Sequence, residues 1–125
     1  MFTLDDDIIE KYRTAGRILS QVLAQAGPMV KTGAKLLEVA EFAEEAIRSK
    51  GGQPAFPCNI SLDRIAAHYT PAPGDLSTFG ENMVKLDIGV HVDGYIADAA
   101  ITVDLSGHDK LKEASQAALD AALDV

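Results

Sequence analysis

A single cysteine, Cys58, has nothing to pair with inside the chain, so no intrachain disulfide framework holds this protein together. Nothing near it in sequence would lower its pKa, and it reads as a small buried apolar residue, not a reactive thiolate. Positive charge is also scarce. Eleven lysines and arginines stand against 19 aspartates and glutamates, a formal net charge of −8. A nucleic-acid surface needs clustered basic residues to neutralise phosphates, so the charge balance argues against that class of partner. Anionic membranes are disfavoured on the same ground. No apolar run approaches the roughly 20 residues of a membrane-spanning helix. The opening stretch MFTLDDDIIEKYR is acidic where a secretory leader would be basic and then apolar. These features point to a cytoplasmic location. Prolines are few and uneven: Pro54, Pro57, Pro71 and Pro73 crowd one stretch, and long helices are forbidden there.

What is present suits one soluble domain over residues 1–125, with 47% apolar residues for a core. The spacing of Ile8, Ile9, Tyr12, Ala15, Leu19, Val22, Leu23 and Ala26 predicts an amphipathic helix over about 5–26. The acidic run Asp5 to Asp7 suits its N-terminus, and Gly27-Pro28 its stop. Leu36, Leu37, Val39, Ala40, Ala43, Ala46 and Ile47 predict a second helix over 34–49, ended by Gly51-Gly52. The proline-rich stretch then reads as loop, with short extended pieces at FPCNIS and IAAHYT. Residues 83–105 read as two strands. The last segment, HDKLKEASQAALDAALDV, reads as a helix with Leu111, Ala114, Ala118, Leu119, Ala122 and Leu123 on its apolar side. That helix has no capping residue at its end and reads as one cut short. No internal repeat is visible.

The paired strands carry the chemistry. Val84, Leu86, Ile88, Val90 and Val92 alternate with Lys85, Asp87, Gly89 and His91 in the first arm. Tyr95, Ala97, Ala99, Ile101 and Val103 alternate with Ile96, Asp98, Ala100 and Thr102 in the second. Asp93-Gly94 between them is the preferred pair for a two-residue type I′ turn. Such a turn predicts Val92 opposite Tyr95, Gly89 opposite Asp98 and Asp87 opposite Ala100. Asp87 and Asp98 then share one face as diagonal neighbours, with Cα atoms roughly 7–8 Å apart. Gly89 and Ala100 are expected to leave the space between them open. Two carboxylates aimed at one small space repel unless a cation lies between them or one is protonated. Hard oxygen ligands suit one divalent ion, or two about 3.5–4 Å apart sharing a bridging carboxylate. The other reading is the solvent face of an ordinary half-exposed hairpin, and a one-residue bulge would send one carboxylate to the opposite face. His68 joins the candidates if its loop folds back over the strands. His91 is expected near the turn tip, and His108 at a helix start on the surface.

The segments PAFPCNISLDRIAAHYTP and KLDIGVHVDGYIADAAITVDL closely resemble the type II methionine aminopeptidases, most of all the short archaeal kind. The likeness runs over nearly the whole chain, including both opening helices and GGQPAFP. It implies an α+β pita-bread fold, two pseudo-symmetric halves around a curved antiparallel sheet. This chain would be the first half, with helices packed on one face. It also implies a pair of divalent metal ions (cobalt, manganese, iron or zinc). The implied activity is removal of the initiator methionine from nascent chains whose next residue is small. Asp87 matches the aspartate that chelates one metal and Asp98 the one that bridges both. His68 matches the histidine that contacts substrate near the scissile bond. Phe56 and Asn59 fall in the segment that lines the methionine pocket. The family's other ligands, a histidine and two glutamates, belong to the second half and have no counterpart here. The chain is therefore expected to be the N-terminal part of a longer enzyme, with little peptidase activity alone and partial or no metal occupancy. It is also expected to expose an apolar sheet edge and face for the missing half or for self-association. A relative that cleaves X–Pro bonds would share both aspartates, but AAHYTP with FPCNIS favours the methionine enzyme. A non-catalytic relative that binds protein or RNA would tend to lose ligands, whereas both checkable ligands are intact and the acidic charge opposes RNA.

Overall fold

The structure, a computed structural model, describes residues 5–125. Helix α1 spans Asp6–Ala26, and its N-terminus is closed by Asp5, whose carboxylate accepts from the Asp7 N–H at 3.3 Å. Ala15, Ile18, Leu19, Val22 and Ala26 form its buried stripe. Burial of each larger one contributes about 1.5–3 kcal/mol. Gly27–Met29 forms a single 3-10 turn with Pro28 near its start.

Helix α2 covers Leu36–Ser49, two residues shorter at its start than predicted. Residues 33–36 are engaged elsewhere. The Gly33 N–H donates to the Phe79 carbonyl at 2.8 Å, the Phe79 N–H to Ala34 at 2.9 Å, and the Leu36 N–H to Ser77 at 3.1 Å. A Lys35–Thr78 bridge lies among these bonds. At the other end, Gly51 at φ 92° and the bonds Gly51 N–H to Arg48 and Gly52 N–H to Ile47 close the helix as a Schellman motif. Gly52 is itself buried where a Cβ would collide with Val90, beside Ile18 and Ile47.

The four strands are β1 (Gln53–Pro54), β2 (Asn59–Leu62), β3 (Met83–Val92) and β4 (Tyr95–Asp104), the other three each pairing antiparallel with β3. β1 and β2 line one edge of β3, and β4 lies along the other. The alternation read from sequence sets the faces: Val84, Leu86, Ile88 and Val90 are buried together with residues of α1 and α2. Helix α3 (Asp109–Leu123) behaves differently. None of its residues is buried, so the apolar side predicted for it stays in solvent. The expectation of helices on one face therefore describes the packed pair α1 and α2.

FPCNIS contributes β2 from Asn59 onward, but IAAHYT forms no strand. Between β2 and β3, Asp63 sits at φ 52° and its carboxylate accepts from the Met83 N–H at 2.9 Å and the Asn82 amide at 2.7 Å. These bonds hold its pKa below the usual aspartate value, the Met83 N–H first, then Asn82. A lowered folded pKa makes the contribution present above the ordinary aspartate pKa and lost as pH falls through the folded value. Asp63→Asn, which tolerates the left-handed backbone, is expected to cost about 1 kcal/mol at neutral pH after solvent screening. Denaturant titration should show that difference shrinking in acid.

Candidate functional site

The turn between β3 and β4 has Asp93 at φ 52° and Gly94 at φ 87°, the pair of left-handed conformations that a type I′ turn requires. The register follows as expected, with Val92 opposite Tyr95, Gly89 opposite Asp98 and Asp87 opposite Ala100, and with no bulge along the ladder. The tip is docked on α1. Lys11 pairs with Asp7 at 2.8 Å and Asp93 at 3.4 Å, and its ammonium lies 5.7 Å from the Tyr95 ring centre. Tyr12 meets the same ring edge-on.

Asp87 and Asp98 therefore project from the face opposite the core. They line a cleft of about 490 Å³ with Phe56, Pro57, Asn59, His68 and Thr70. All five residues singled out from sequence meet there. Asn59 comes from β2, directly opposite Asp87. His68 arrives because its loop is strapped back onto β2. The Ile60 N–H donates to the Tyr69 carbonyl at 2.7 Å, the Thr70 hydroxyl to the Cys58 carbonyl at 2.9 Å, and the Tyr69 N–H to the Ser61 hydroxyl at 3.4 Å. His68 itself holds φ 67°, a conformation uncommon for a residue with a Cβ. The Cys58 N–H donates to Glu44 at 3.0 Å, which ties the same segment to α2.

Pro57 and Thr70 were not singled out from sequence. Thr70 reaches the cleft through its hydroxyl bond to the Cys58 carbonyl, a contact between separate segments that the spacing in AAHYTP does not reveal. The space above Gly89 differs from the expectation of open room. A Cβ there would lie less than 3.0 Å from three atoms of the Phe56 ring, so an aromatic side chain fills the place. His91 stays at the turn, where its Nδ1 accepts from the Gly94 N–H at 3.0 Å. His108 stands exposed at the start of α3, with Ser106 Oγ 2.9 Å from its Nδ1.

The electrostatics of the cleft are those of two carboxylates brought together. Burial raises the Asp87 pKa, and the nearby Asp98 carboxylate raises it further; His68 works weakly in the opposite direction. Neither aspartate belongs to an ion pair among the described residues. Hard oxygen donors, shared negative charge and adjoining space suit a divalent cation. No third histidine, cysteine or carboxylate completes a ligand cluster among the described residues, so the pair alone would supply only part of a coordination sphere. Cys58 is buried, and its pKa is pushed up to about 12 by burial, then by Glu44 and Asp87. It is a packing residue with no thiolate at neutral pH.

The sequence profile of metallopeptidase family M24 matches residues 10–125. A methionine aminopeptidase of Methanocaldococcus jannaschii is 58% identical over 112 residues, 88% of this chain and 38% of that protein. One from Archaeoglobus fulgidus is 50% identical over 123 residues, 98% of this chain and 42% of the relative. The chain thus spans about two-fifths of the length of these two relatives. Among solved structures, a methionine aminopeptidase of Thermotoga maritima superposes with a TM-score of 0.74 at 21% identity, over 83% of this chain and 45% of that one. That likeness speaks to the pita-bread fold alone.

Proposed function

Because this chain belongs to metallopeptidase family M24, we propose that it forms the metal- and substrate-holding N-terminal part of a methionine aminopeptidase. The observation that carries the reading is the convergence of Asp87, Asp98, His68, Asn59 and Phe56 on one cleft. Asp87 and Asp98 would hold a pair of divalent metal ions (cobalt, manganese, iron or zinc), with further ligands from the rest of a full-length chain. Bound there, such ions lower the pKa of water towards neutrality and polarise a peptide carbonyl. Phe56 offers an apolar wall beside the carboxylates, suited to a thioether side chain. Asn59 stands on the neighbouring strand, where its amide can orient the peptide. His68, held by its strapped loop, donates a hydrogen bond to the peptide at the scissile bond. The open edge of β4 and the uncovered side of α3 are where the remainder of a full-length enzyme would pack. The substrates are nascent chains that begin with methionine and continue with a small residue.

Kinetics of the full-length protein on Met-Ala-Ser and on an X-Pro peptide test this reading. Methionine release dependent on divalent metal is expected, with little cleavage before proline. Preferential cleavage of the X-Pro peptide would overturn it. His68→Ala is expected to lower kcat about 10²–10³-fold, the scale of one lost oxyanion donor. His68→Gly is expected to lose as much activity while unfolding no more easily than wild type, because glycine adopts the left-handed backbone without penalty.

A further inference from the structure

Gly89 lies in the interior of the central strand, where a glycine weakens pairing and marks a close approach by another group. The approaching group is Phe56. The Ala55 N–H donates to the Gly89 carbonyl at 2.9 Å, continuing the β1–β3 register, so the backbone next to Phe56 is pinned alongside Gly89. The Phe56 ring then lies where a side chain of residue 89 would be. Across the ladder Gly89 faces Asp98, and Asp87 is two residues back on the same face. The ring and the two carboxylates therefore line the same cleft.

We infer that Gly89 is a specificity-determining residue: by lacking a side chain it seats the Phe56 ring against β3 and so sets the width of the cleft that takes the substrate's N-terminal side chain. The inference rests on the methionine aminopeptidase reading of the cleft. A methyl group at residue 89 cannot coexist with the ring as placed, because β3 is fixed by pairing on both edges and the ring is the part that can yield. The ring moves into the cleft, and the side-chain pocket narrows. Asp87 and Asp98 keep their backbone positions, so metal loading is unaffected.

The test is steady-state kinetics of the full-length, metal-loaded enzyme on Met-Ala-Ser, with metal content measured alongside. Gly89→Ala is expected to raise KM about tenfold or more while kcat stays within about threefold and metal content is unchanged. The double variant Gly89→Ala/Phe56→Leu, with a smaller group over the new methyl, is expected to recover at least half of that change on a logarithmic scale. An unchanged KM in Gly89→Ala, or a double variant no better than the single one, would overturn the inference. If Gly89→Ala does not fold, Phe56→Ala carries the test. Its widened cleft is expected to raise relative kcat/KM for peptides beginning with leucine or phenylalanine about tenfold against methionine; unchanged selectivity overturns the inference. A wild-type enzyme that releases no methionine with any of the four metals removes the underlying reading and this inference with it. An active wild type with a kinetically silent Gly89→Ala removes this inference alone.

Discussion

Asp98→Asn in the full-length protein is expected to abolish methionine release, by at least about a thousandfold, and to remove metal binding measured by calorimetry. The substitution keeps size and shape but removes a charge that a cation needs from both sides of the cleft. Its effect on stability separates a ligand role from a structural one. Without metal, the two carboxylates repel, and the Asp87 pKa is raised by burial and by Asp98. Asp98→Asn is therefore expected to unfold no more easily than wild type in chelator. With metal at about a hundred times its Kd, wild type gains about 2.7 kcal/mol through linkage, and the variant gains little. Equal metal-induced stabilisation of both proteins would show that Asp98 is not a ligand.

Phe79→Ala is expected to destabilise the protein by about 3–5 kcal/mol, a large part of the 5–15 kcal/mol typical of a domain. Phe79 is 2% exposed and is among the largest fully buried side chains. It sits in no helix or long strand. The antiparallel pairing of 77–79 with 33–36 holds it in the core beneath the connection between α1 and α2. Removing the ring opens a cavity that this doubly bonded backbone cannot close. Phe79→Leu is expected to cost about 1–1.5 kcal/mol. Thermal unfolding should fall by roughly 10 °C or more for alanine and far less for leucine.

The contrast between Phe79 and the hairpin shows what was legible in the sequence. The register of β3 and β4 depends on local signals, a period of two and an Asp-Gly turn, and these bring Asp87 and Asp98 to one face without outside help. Phe79 and Gly89 depend on contacts between segments far apart in sequence. Nothing in the alternation of β3 reveals that Phe56 will occupy the space above Gly89, so room was expected where a ring lies. IAAHYT has the composition of an extended segment, but the Thr70 hydroxyl and the Ser61 side chain hold it as an irregular strap, and His68 takes a left-handed conformation. Helix α3 has the right period and still buries none of its residues. Periodicity tells which side of a helix is apolar, and only a partner decides whether that side is covered.

Anomalous scattering from manganese in crystals of the full-length protein tests the metal assignment most directly. Peaks are expected about 2.0–2.4 Å from carboxylate oxygens of both Asp87 and Asp98, in the cleft that also holds His68. Manganese bound elsewhere, with no peak between these two aspartates, would contradict the assignment.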